Sequence, residues 1–100
     1  MTLEDITNTM QQRVSEKGAI DGKVVKFDFS DDGVIRIDGT GSEPKVDNED
    51  AAADCTIKVS KEDFIEIAEG RQDAQMAFMM GKLSVDGDMT IAMQLGQILG

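Results

Sequence analysis

Apolar residues fall into two periods along this chain. Leu3, Ile6, Met10 and Val14 repeat at three- and four-residue intervals, which places them on one stripe of a helix. Thr2 stands where an N-cap is needed, and Glu4 and Asp5 suit the positive end of the helix. Arg13 and Lys17 suit its C-terminal end, and Gly18 terminates it. From Lys23 the period changes to two. Val25, Phe27 and Phe29 share one face, with Val24 interrupting the alternation. Ser30-Asp31-Asp32-Gly33 reads as a turn, and Val34, Ile35 and Ile37 continue into a second strand, making a hairpin. The stretch from Gly39 to Asp54 is glycine-rich at first, holds the only proline, Pro44, and then becomes acidic. Lys45 and Val46 form a short strand within it. In the next strand Cys55, Ile57 and Val59 alternate against Thr56 and Lys58.

After Val59 the pattern is helical again. Ser60 and Asp63 resemble a capping box, with Asp in place of the usual Glu. The helix they open carries Phe64, Ile65, Ile67 and Ala68, and Gly70 closes it. A second short helix begins at Asp73, ends near Gly81 and presents Met76, Ala77, Phe78, Met79 and Met80. An alternating strand from Lys82 to Val85 then runs through a turn at Asp86-Gly87 into a helix starting after Asp88. In that last helix Met89, Ile91, Ala92, Met93, Leu95, Ile98 and Leu99 occupy more than one face, while only Thr90, Gln94 and Gln97 are polar. A helix apolar nearly all round must be covered on several sides. A chain of 100 residues has little protein to spare for that, so a bound lipid is the obvious cover. Grouped rather than alternating strands make this an α+β fold, expected as one domain over residues 1–100.

Charge narrows the partners. A formal net charge of −10 disfavours nucleic acid and steady docking on anionic membranes, both of which rely on lysine and arginine. The sequence has no histidine, the commonest general base and metal ligand. Its single cysteine, Cys55, cannot form an internal disulfide, no apolar run nears the ~20 residues that span a bilayer, and Met1 to Asp5 has no signal-peptide character. A cytoplasmic monomer is the expectation. Cys55 reads as a buried structural thiol, with the neighbouring Asp54 raising its pKa. Asp47, Asn48, Glu49, Asp50 and Asp54 lack the EF-hand spacing and read as a solvated loop rather than a metal site. Gly39-Thr40-Gly41 lacks the third glycine and the following helix of a phosphate loop, and Gly81-Lys82 lacks the rest of a Walker motif. The Asp31-Asp32 pair sits in a turn that water reaches. Neither a cofactor nor a catalytic residue is expected.

Several blocks together resemble the sterol carrier protein-2 domains. They are Ala53-Asp54-Cys55-Thr56-Ile57, Gly70, Ala77-Phe78, Gly81-Lys82-Leu83, Gly87-Asp88, and Met89, Ala92, Met93 and Leu95. The likeness is close over about half the chain, and the first helix and hairpin agree in pattern. The resemblance implies a five-stranded, mostly antiparallel sheet covered on one side by about four helices. It also implies an apolar tunnel between the two layers that carries fatty acid, fatty acyl-CoA, sterol or phospholipid without covalent chemistry. The implied lining is Phe78, Met79, Met80, Met89, Ala92, Met93 and Leu95, with Leu83 and Val85 from the strand. Ile6 and Met10 of the first helix belong either to the wall or to the plain core. Met80 stands where family members often have glutamine, and Ala74 where proline is frequent. Losing the glutamine removes a polar anchor near the pocket mouth and favours plain acyl chains.

The rival reading is a protein–protein interaction or homodimerisation module that uses the apolar C-terminal helix. It requires a large exposed apolar patch, whereas lipid carriage requires a cavity. An empty rigid cavity of ~300–1,000 Å³ would cost roughly 7–24 kcal/mol, against a total stability of about 5–15 kcal/mol. Such a pocket is therefore filled, collapsed or hydrated.

Overall fold

The computed structural model describes residues 2–18 and 22–94. Ten elements follow in order. They are α1 (Leu3–Lys17), β1 (Val24–Asp28), a 3-10 turn at Ser30–Asp32, β2 (Val34–Asp38), β3 (Lys45–Asp47), β4 (Cys55–Val59), α2 (Lys61–Ala68), α3 (Ala74–Met79), β5 (Leu83–Gly87) and α4 (Met89–Gln94). The strands form one sheet in the order β3-β2-β1-β4-β5. Three pairings are antiparallel, and the central β1–β4 pairing is parallel.

The parallel pair requires a crossover from β3, at one edge, back to β4. The acidic segment supplies it and is tied down residue by residue. Arg36 meets Asp47 at 3.2 Å and Glu49 at 3.4 Å, and Lys26 meets Asp50 at 2.8 Å. The Asn48 side chain donates to the Val34 carbonyl and the Thr7 hydroxyl, and the Asp54 carboxylate accepts from the Val24 N–H. These carboxylates strap the polar face of the sheet, where Lys26 and Arg36 stand on adjacent strands.

The other face carries the core. Val25, Phe27 and Phe29 of the first hairpin strand, Ile35 and Ile37 of β2, and Cys55, Ile57 and Val59 of β4 are all buried. Ile6, Met10 and Val14 of α1 lie on them, as do Phe64 and Ile67 of α2. The Phe64 ring meets Phe27 and Phe29 edge-on, at centroid distances of 5.0 and 5.1 Å, a favoured aromatic geometry.

Local signals account for the helix ends. At α1 the capping box is complete: the Asp5 N–H donates to the Thr2 hydroxyl and the Thr2 N–H to the Asp5 carboxylate. At α2 only half of it forms. Ser60 Oγ accepts from the Asp63 N–H, but the Asp63 carboxylate takes the Ser60 hydroxyl rather than its backbone N–H. The Arg13 guanidinium donates to the Ala68 carbonyl, satisfying a C-terminal acceptor of α2 and joining it to α1.

One expectation is overturned. Asp86-Gly87 is not a turn, because β5 continues through Gly87, which pairs with Cys55. A Cβ on Gly87 would sit 2.5 Å from the Asp54 carbonyl oxygen, at a backbone φ of +117°. Glycine thus lets the strand run on against its neighbour where any side chain would collide. The chain bends only at Asp88, whose carboxylate accepts from the Thr90 N–H at the start of α4.

Candidate functional site

The register of β5 decides which face its apolar residues take. Leu83 pairs with Val59 and Val85 with Ile57, so both join the core face. They extend the apolar floor laid by Phe27, Ile57 and Val59 toward the β5 edge of the sheet. Over that edge the cover from the described residues is thin. α3 buries only Ala77, and α4 buries only Ile91 among its described residues. Ala77 and Ile91 anchor these helices on the sheet, and between them and the floor lies an open-sided cleft of about 710 Å³.

Its walls come from several elements. Phe64 and Ile67 of α2 close the inner side. Gly70, Gln72, Asp73, Ala74 and Gln75 line it where α2 passes into α3. Phe78, Met89, Ala92 and Met93 line the helical side, with Phe78 43%, Met89 47% and Met93 80% exposed. The Asp73 carboxylate is spoken for, since it caps α3 by accepting from the backbone N–H groups of Gln75 and Met76. No lysine or arginine is among the described lining residues. Arg71, beside them in sequence, is engaged by Glu66 at 2.8 Å and Glu69 at 2.6 Å; that hydrogen bonding lowers the Glu66 pKa and raises that of Arg71.

Of the nine residues singled out from the sequence, the cleft gathers Phe78, Leu83, Val85, Met89, Ala92 and Met93. Met79 and Met80 are not among the lining residues and are 74% and 63% exposed, because positions after Phe78 rotate away around the short helix. Leu95, like Gln97, Ile98 and Leu99, which the sequence pattern assigns to the last helix, lies outside the described residues. Ile6 and Met10 belong to the core and to a much smaller crevice of about 40 Å³ between α1 and α2. Alternation already made Phe27, Ile57 and Val59 core candidates. Gln72 carried no signal, since a polar residue in a loop has no period to betray it, and Gln75, in the first turn of α3, read as an ordinary polar helix position.

The chemistry on offer is apolar. Cys55 is fully buried, and burial first, then Asp88 and Asp86, push its thiol pKa up, so it stays protonated at neutral pH. Asp54, the sequence neighbour expected to do this, is not among the causes. Among the described residues no group of three or more cysteine, aspartate or glutamate side chains is placed to hold a metal ion.

The model of the SCP-2 sterol transfer family matches residues 4–100. The chain belongs to that family. Human sterol carrier protein 2 is 44% identical over 48 residues, a match that covers 48% of this chain and 9% of that protein. Peroxisomal multifunctional enzyme A of Dictyostelium discoideum is 48% identical over 44 residues, covering 44% of this chain and 10% of its own length. The chain therefore matches only about a tenth of these curated relatives, some of which are enzymes. The solution structure of Aedes aegypti sterol carrier protein-2 in complex with palmitate superposes with a TM-score of 0.79. That likeness covers 100% of this chain and 97% of the other at 19% identity, and it is a likeness of fold. The shared α+β architecture, a mostly antiparallel five-stranded sheet with helices on one face, is the one the sequence blocks imply. Lipid binding and transport are the business of this family.

Proposed function

We propose that this chain is a non-catalytic carrier that holds one apolar lipid in the cleft between the β5 edge of the sheet and helices α3 and α4. The ligand class is that of fatty acids, fatty acyl-CoA, sterols or phospholipids. Phe78, Leu83, Val85, Met89, Ala92 and Met93 contact it, with Met79, Met80 and Leu95 closing over it as the helices follow the ligand. The observation that carries this reading is a cleft of about 710 Å³ with an apolar floor, in a chain of a lipid-transfer family. That volume falls within the ~300–1,000 Å³ typical of ligand pockets. Unbranched, polarizable methionine side chains at the rim suit ligands of differing shape. The palmitate bound to the Aedes aegypti protein of the same fold adds support.

Residues 1–100 act as one domain in this reading, in the cytoplasm, where a lone buried thiol needs no partner. No helix of the described residues is long and apolar enough to cross a membrane. The acidic charge directs delivery toward a protein partner rather than to an anionic bilayer.

Native mass spectrometry of freshly purified protein, followed by organic extraction, tests the proposal. Near one acyl lipid per chain is the expected result. A ligand-free monomer that also ignores added fatty acid, acyl-CoA and sterol would remove lipid carriage. A second reading, self-association through the helical side, is favoured by Met76, Met79 and Met80, exposed by 54, 74 and 63%. A ligand-free dimer in the same spectra would select it.

A further inference from the structure

One polar atom in the cleft region has no place in an apolar carrier. Gln72 lines the cleft between Gly70 and the α3 cap, and its side-chain Nε2 is buried with no hydrogen-bond partner among the described residues. Its backbone is fixed, because the Gln72 N–H donates to the Glu66 carbonyl at 3.2 Å. The side chain is therefore the part free to move. An unpaired buried N–H is costly, and native proteins keep very few of them. A rotation about the side-chain bonds would bring the amide into the cleft, where an acceptor on a bound ligand would satisfy it.

The surroundings say which acceptor. The only ionisable side chain lining the described cleft is Asp73, and the net charge of the chain is −10. Arg71, the nearest cation in sequence, is held outside by its two glutamates. A free carboxylate entering here would lose its hydration, find no cation, and face the Asp73 side chain. A neutral carbonyl oxygen loses far less on entry and needs only one donor. Resting on the lipid-carrier reading above, we propose that Gln72 Nε2 is a specificity-determining donor that selects neutral carbonyl-bearing lipids, such as esters, thioesters or ketones, over free fatty acids and bare hydrocarbon chains.

Three ligands of equal chain length separate the terms when supplied as cyclodextrin complexes at pH 7.5: methyl palmitate, palmitate and hexadecane. Binding is followed by native mass spectrometry and thermal melting, for the parent chain and for Gln72→Met, which keeps the side-chain length without the donor. Methyl palmitate is expected to bind about tenfold more tightly than either of the others. Gln72→Met should remove that advantage, leave hexadecane unchanged, and raise the melting temperature of the ligand-free protein by deleting an unpaired donor. A purely structural role for Gln72 would lower that temperature instead. Hexadecane and palmitate binding as well as the ester would overturn the selectivity while leaving lipid carriage intact. If none of the three binds, the Gln72 proposal falls, and lipid carriage is decided separately by whether a lipid co-purifies with the chain. The ligand preference of the parent chain decides the question even if the variant fails to fold.

Discussion

Two helical edges lie on the same face of one sheet, and they close differently. Beneath α1 the crevice against α2 holds about 40 Å³, whereas beneath α3 and α4 the cleft holds about 710 Å³. Methionine marks the contrast, since Met10 is 1% exposed and Met93 80%. The apolar supply is similar on both sides, but the anchoring is not. The 15-residue α1 sets Ile6, Met10 and Val14 into the core over three turns and is held by a complete capping box. The six residues of α3 bury one alanine. A helix seated on a single small side chain cannot lower its neighbours onto the floor, so the floor stays accessible. An open site here is a matter of where the large side chains fall, rather than of how many there are.

The largest expected effect breaks this comparison most directly. Met10→Ala should cost about 2–5 kcal/mol, as large-to-small changes in a packed core do, and shift the urea midpoint accordingly. Met93→Ala should leave the stability of the ligand-free protein within about 0.5 kcal/mol, since it removes a mostly exposed side chain. With methyl palmitate present the gap should narrow, with Met93→Ala losing part of the ligand-induced stabilisation. Equal destabilisation by the two changes without ligand would mean that α4 is packed as tightly as α1.

A smaller effect sharpens the comparison at the lid. Asp73→Ala removes the cap of α3, leaving the Gln75 and Met76 N–H groups without their acceptor. Lost caps of this kind cost about 1 kcal/mol, which in a domain of this size lowers the melting temperature by roughly 4–8 °C. Because α3 forms one side of the cleft, ligand release should also accelerate. An unchanged release rate would show that α3 is not the moving part.

The closed region was the legible one. Alternation at Val25, Phe27 and Phe29 and the helical stripe through Ile6, Met10 and Val14 express burial on one side only, and such burial leaves a period in the sequence. At the cleft the signals were weaker because the constraints are tertiary. Leu83 and Val85 took their face from a register with β4 that no local pattern specifies. Gly87 read as a turn because glycine favours both a turn and a close backbone approach, and only the Asp54 carbonyl beside it tells them apart. Met79 and Met80 entered the lining through the family resemblance, and at the end of the short α3 both stand exposed beside Phe78. The acidic loop gave charge without geometry. Its carboxylates are used up on Lys26, Arg36 and the Val24 N–H, pairings that join residues far apart in sequence.

The smallest expected effect is a pH dependence confined to the closed side. Hydrogen bonds from the Thr2 backbone and then the Thr2 hydroxyl hold the Asp5 carboxyl below the ordinary aspartate pKa, against a weaker opposing effect of desolvation. A carboxylate with a depressed folded-state pKa adds stability that is fully present above its unfolded value, about 3.9, and is lost as pH falls through the lower folded value. Asp5→Asn removes the charge without changing the shape. The parent chain should therefore be slightly the more stable of the two at neutral pH, and the gap should close only below about pH 4. Urea midpoints of both proteins from pH 7 to 2.5 measure it. A gap that persists at the acid end would mean that the geometry of the capping box, rather than its ionised carboxylate, holds α1. Methyl palmitate carries no titrating group, so its binding should not follow the Asp5 titration while the protein stays folded. If binding did follow it, the two helical edges would be coupled through the sheet instead of closing independently.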